Sequence, residues 1–152
     1  MKQSILIAVV LFTFLAMSQA AGPSLGVAMA TGSFRIDGST VSDNATLFGG
    51  ATIETEKASS RLQLSSGARI ELAPRSRAKV YDDHLSLESG LGELASKDYQ
   101  IEAKTLRIET DETNSLARVQ IESSKSVLIT AVHGSARVYN EIGMLVADYQ
   151  GK

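Results

Sequence analysis

From Ser60 to Ala95 the chain reads SRLQLSSGARIELAPRSRAKVYDDHLSLESGLGELA. In Arg61-Leu62-Gln63-Leu64 the two leucines fall on one face of an extended chain, because successive strand side chains point to opposite sides. The same alternation returns in Ala68-Arg69-Ile70-Glu71-Leu72, in Ala78-Lys79-Val80 and in Leu85-Ser86-Leu87-Glu88. Turn formers separate the runs: Ser65-Ser66-Gly67, Pro74-Arg75-Ser76, Asp82-Asp83 and Ser89-Gly90. One face is apolar, and the other carries Arg, Lys, Glu and Gln.

The rhythm continues on both sides of this segment. Upstream, Phe34-Arg35-Ile36-Asp37-Gly38-Ser39-Thr40-Val41 is a hairpin signal, since Asp-Gly readily takes the positive φ angles of a two-residue turn. Downstream, alternation recurs in Tyr99–Ala103, Leu106–Ile108, Ala117–Ile121 and Ala136–Tyr139, with a turn expected at His133-Gly134. Val127 to Val132 is apolar on both faces and predicts a central or covered strand. No stretch beyond the N-terminal apolar run sustains helical spacing, so the class is all-β. Strands at intervals of roughly eight to ten residues fit a sandwich, a barrel or a short solenoid. A core of Leu, Ile, Val and Ala, with only four Phe and four Tyr, suits the thin layers of a short-stranded β-solenoid-like domain. The alternative is a β-sandwich.

Composition narrows the function classes. The chain has 152 residues, 43% hydrophobic and 21% charged, which suits one globular domain. A formal net charge of -2 gives no basic footprint, so nucleic acid is not the expected partner. The absence of cysteine rules out disulfides, thiolate zinc sites, iron–sulfur clusters and a lipid-anchored cysteine.

The N-terminus predicts export. Lys2 precedes the apolar run Ile5 to Met17, and Ser18-Gln19-Ala20 presents small residues at the two positions a signal peptidase reads. Cleavage is expected between Ala20 and Ala21, with Ala28-Met29-Ala30 as a second small-x-small site. A retained inner-membrane anchor is the alternative, although a spanning helix needs roughly 20 apolar residues. The expected division is residues 1–20 as signal peptide, 21–31 as a short linker and 32–151 as the all-β domain. Periplasm or medium is the expected location, and membrane attachment follows only if the leader is kept.

The segment Ser60 to Ala95 resembles the FecR-like domains of bacterial envelope proteins: an apolar strand, a polar-Gly turn, a second strand running to a Pro-x-Ser, then a strand and L-x-x-G. Gly49-Gly50-Ala51-Thr52-Ile53-Glu54-Thr55 is similar to the segment that precedes this pattern, and Val127 to Val138 with Asn140-Glu141-Ile142-Gly143 to its closing run. The likeness spans Gly32 to Gly151. It implies a short-stranded, solenoid-like domain facing the periplasm that binds or scaffolds other molecules, an envelope protein or a glycan, and it brings no catalytic residues. Members that signal to a cytoplasmic sigma factor carry a helical segment ahead of a transmembrane helix. Here the apolar run begins at Ile5, so that role is not expected of this chain.

Asp82-Asp83-His84 could offer metal ligands, but adjacent side chains of an extended chain diverge, and Asp-Asp before a strand is a common turn. A base at His133 would need a nucleophile that the sequence does not supply. Gly90-Leu91-Gly92-Glu93-Leu94-Ala95 has the spacing of a dinucleotide turn, yet a strand follows where a helix would have to start. No cofactor, metal or catalytic residue is therefore assigned. Glu54, Glu56, Glu71, Glu88, Glu93, Glu102 and Glu109 leave a second reading open, a small carbohydrate-active hydrolase using a carboxylate pair such as Glu71 and Glu93. A third possibility is self-association through unpaired strand edges. Thr110 to Ser115 reads as a charged loop and a candidate contact surface.

Overall fold

The computed structural model describes residues 22–152, and the expected leader and the Ala20–Ala21 cleavage site lie outside the described residues. Fifteen strands follow in chain order: β1 Ser24–Ala30, β2 Phe34–Ile36, β3 Ser39–Val41, β4 Asn44–Phe48, β5 Ala51–Thr55, β6 Ser60–Leu64, β7 Arg69–Leu72, β8 Arg77–Val80, β9 His84–Ala95, β10 Gln100–Ala103, β11 Leu106–Thr110, β12 Leu116–Ile121, β13 Val127–His133, β14 Ser135–Tyr139 and β15 Leu145–Gln150. The chain is all-β. Among the described residues no helix is long and apolar enough to cross a membrane.

The strands form two ladders joined through β9. One ladder runs β4-β1-β6-β7-β9-β12-β13. The other runs β3-β2-β5-β8-β9-β10-β11-β14-β15. Neighbours are antiparallel except β9 and β10, so the sheet is mixed. Alternation does what the sequence predicts: Leu62, Leu64, Ile70, Leu72 and Leu94 of the first ladder are buried, as are Ile53, Val80, Leu85, Ile101, Ile108 and Val138 of the second. All of them belong to one apolar cluster. The hairpin β2–β3 turns at Asp37-Gly38, whose φ angles of 49° and 82° are the positive values that this dipeptide supplies.

The passage of β9 between the ladders rests on Gly90. Its residues up to Ser89 pair with β8 and β10, while Gly90 onward pairs with β7 and β12. Gly90 has φ +83°, and a Cβ there would stand 2.6 Å from the Ser76 Cα and 2.7 Å from the Arg75 carbonyl oxygen. Only glycine lets the two segments come this close. Ser76 fixes the crossing: its Oγ donates to the Leu91 carbonyl (3.1 Å) and accepts from the Leu91 N–H (3.0 Å). The Ser76 N–H in turn donates to Thr55 Oγ1 at 2.9 Å, and Thr55 Oγ1 donates to the Ala73 carbonyl at 2.6 Å.

Three expectations are corrected. Residues 24–30, read as linker, form β1 between β4 and β6. Its buried positions are Gly26 and Ala28 while Val27 and Met29 are exposed, so small inward residues hid the alternation. A chain cut after Ala30 would lack this strand. Ser89-Gly90 does not end a strand, because the bend is absorbed within the twelve residues of β9. Val127–Val132 is not central: β13 pairs with β12 alone among the described strands, and Leu128 on its outer face is 49% exposed. Its apolar outer face meets solvent at the end of the ladder.

Candidate functional site

Pleating sends every second residue of β6, β7, β9 and β12 to the outer face, and cross-strand register decides which of them meet. One row reads Met29, Arg61, Glu71, Glu93, Arg118 across five strands. The next reads Val27, Gln63, Arg69, Ala95. Glu71 and Glu93 are thus direct cross-strand partners, a like-charge pair that is unfavourable by itself. Arginines on either side of the pair relieve it. Arg61 Nε lies 3.4 Å from Glu71, and Arg118 reaches Glu93 Oε1 at 2.6 Å through one terminal nitrogen and at 2.7 Å through Nε.

These rows floor an open groove of about 420 Å³, lined by Met29, Arg61, Leu62, Gln63, Arg69, Ile70, Glu71, Glu93, Ala95, Asn114, Leu116 and His133. The volume is that of a small-ligand pocket. Asn114 comes from the segment that the sequence marked as a contact loop, of which Thr110 instead ends β11 and, like Ser115, is buried. His133 is held at one end, its Nδ1 donating to the Lys152 carbonyl at 2.9 Å.

Arg69 stands apart within this groove. Arg35, Arg61, Arg77, Arg107, Arg118 and Arg137 each reach a carboxylate. Among the described residues Arg69 is the one strand arginine with no acidic partner, because its cross-strand neighbours are Gln63 and Ala95. The sequence shows that Arg69 lies on the polar face, but it does not show that its neighbours are neutral.

The remaining sequence candidates fall elsewhere. Glu54 and Glu88 share Arg77, Glu56 pairs with Arg35, and Glu109 with Arg107, all on the outer face of the other ladder. Asp83 and His84 form a local unit: Asp83 Oδ1 is 2.6 Å from His84 Nδ1, Glu102 Oε2 is 3.6 Å from Nε2, and the ring stacks on Tyr81 at 4.6 Å. The bond to His84 holds the Asp83 carboxyl below its ordinary range. Beneath it, Tyr99 donates to the Tyr81 carbonyl at 2.8 Å, and burial pushes its phenol well above the usual value. Among the described residues no three His, Asp or Glu side chains are placed to hold a metal ion. Gly90 to Ala95 lies wholly within β9, so the dinucleotide-like spacing opens no helix.

No protein-family model matches the chain, and no curated protein matches it either.

Proposed function

We propose that this chain is a FecR-like binding module of the bacterial cell envelope that acts by capturing a partner in the groove above β6, β7, β9 and β12 and performs no chemistry on it. The observation that carries the reading is the origin of the groove: Arg61, Gln63, Arg69, Glu71, Glu93 and Ala95 all come from Ser60–Ala95, the segment with the FecR-like pattern. The order of strands supports the solenoid-like form over a sandwich. Both ladders advance along one direction almost in chain order, from β3 and β4 at one end to β15 and β13 at the other, without the long crossovers of Greek-key sandwiches.

The hydrolase reading has one observation in its favour, the adjacency of Glu71 and Glu93. Each of these carboxylates is engaged by an arginine, and among the described residues the groove lining contains no Phe, Tyr or Trp on which a sugar could stack. Binding is the better account. A photo-crosslinking residue at Gln63, in cells that export the protein, should yield a discrete adduct that the same residue at Lys79 on the other ladder does not. Equal adducts from both positions, or glycan cleavage that is lost in a Glu71→Gln, Glu93→Gln double variant, would refute the reading.

A further inference from the structure

We infer that the groove recognises the free C-terminal carboxylate of a peptide, with Arg69 as the residue that receives it; this rests on the groove being the binding surface. Charge matching within the groove leads there. Glu71 is engaged by Arg61 and Glu93 by Arg118, so Arg69 is the one full charge in the lining left without a counter-ion among the described residues. A guanidinium presents two parallel N–H donors that match the two oxygens of a carboxylate. Two carboxylates on the same wall oppose a multiply charged anion such as a phosphate, whereas a single negative charge completes the pairing.

The rest of the lining fits the end of a peptide. Gln63, the cross-strand neighbour of Arg69, and Asn114 elsewhere in the lining carry amide groups that both donate and accept, as a peptide backbone requires. Ala95, the cross-strand partner of Arg69, and Leu116 provide an apolar patch for a last side chain of modest size. A sugar acid would supply the same carboxylate but would leave that patch facing hydroxyls. An extended peptide with an aliphatic last residue satisfies both halves of the groove.

The test is titration of the full chain with fluorescein-labelled Gly-Gly-Ala-Leu, followed by polarisation. The free acid is compared with the C-terminal amide, and galacturonate serves as the sugar-acid probe. The free acid should bind, and the amide should bind about tenfold to a hundredfold more weakly, the loss expected for a charge-assisted bidentate pair. Arg69→Gln should abolish the preference for the acid, Arg69→Lys should keep part of it, and Lys79→Gln, on the other ladder, should leave it in place. Equal binding of acid and amide, an unchanged preference in Arg69→Gln, or no binding of either peptide would overturn the inference. Galacturonate binding that depends on Arg69, without peptide binding, would overturn the peptide assignment. A Gln63 crosslink to a partner that has no carboxylate dependence would sink this inference while leaving the binding reading intact.

Discussion

Replacing Gly90 by alanine tests whether the crossing of β9 is what joins the two ladders. Two costs add at this position. At φ +83° an L-residue is strained by about 1–2 kcal/mol. The new Cβ also lies 2.3 Å from Ser76 Oγ, 2.6 Å from Ser76 Cα and 2.7 Å from the Arg75 carbonyl. Rotating Ser76 relieves the first contact only, because the other two are backbone. The Arg75-Ser76 segment must therefore move, straining both hydrogen bonds between Ser76 and Leu91, and overpacking of this kind costs about 1–3 kcal/mol. The total is about 2–5 kcal/mol, a large share of the roughly 5–15 kcal/mol that stabilises a typical domain. Gly50 is the control: its φ is +82° but nothing lies within 4 Å of its Cβ, so Gly50→Ala bears the strain alone. Urea and thermal unfolding followed by circular dichroism should place Gly90→Ala about 2–12 °C below Gly50→Ala in Tm, from the overpacking of about 1–3 kcal/mol at 2–4 °C per kcal/mol for a chain of this length. If the two variants melt within a degree of each other, the close approach at Gly90 is not what the geometry indicates.

Other outcomes follow from burial and titration. Ile70→Asp should prevent cooperative folding, because it puts a charge at a site 2% exposed, while Ile142→Asp, at 79% exposure, should change stability by less than about 0.5 kcal/mol; soluble, cooperatively melting Ile70→Asp would mean the inward face is misassigned. Tyr99 has a folded pKa raised above its unfolded value near 10, so its contribution is complete below pH 10 and is lost as pH rises through the folded value. Tyr99→Phe should flatten the alkaline loss of stability measured by urea midpoints above pH 10, and an unchanged slope would contradict burial of the phenol. Asp83 works in the other direction, its carboxyl held low by His84, so its share is present above the unfolded pKa and fades as pH falls through the folded one. Asp83→Asn should reduce the acid dependence below pH 4. Arg118→Ala leaves Glu93 facing Glu71 without its counter-ion; it should cost about 0.5–1 kcal/mol at low ionic strength and less in 1 M salt, as differential melting would show.

The strands themselves were legible because each buries one face, and a buried face writes a period of two into the sequence. Leu62 and Leu64, Ile70 and Leu72, and Leu85 and Leu87 all point inward as that period predicts. It failed where inward positions are small or outward ones apolar. Gly26 and Ala28 carry too little side chain to mark β1, and Leu128 gives β13 the look of a buried strand at what is a ladder's edge. The candidate site was half legible. Parity alone puts Arg61, Arg69, Glu71 and Glu93 on the solvent side.

Which of those residues touch is another matter. Glu71 meets Glu93 because β7 pairs with β9, Arg118 reaches Glu93 because β12 flanks β9 on its other side, and Arg69 faces Gln63 and Ala95 for the same reason. Cross-strand partners are set by pairing between segments up to tens of residues apart, through hydrogen bonds whose donors and acceptors are the same at every residue. Sequence therefore determined the class, the inward faces and the turn at Asp37-Gly38, all of which depend on local side-chain chemistry. The tertiary structure alone decided that one arginine on the outer face has neutral neighbours, because that depends on which strands lie side by side.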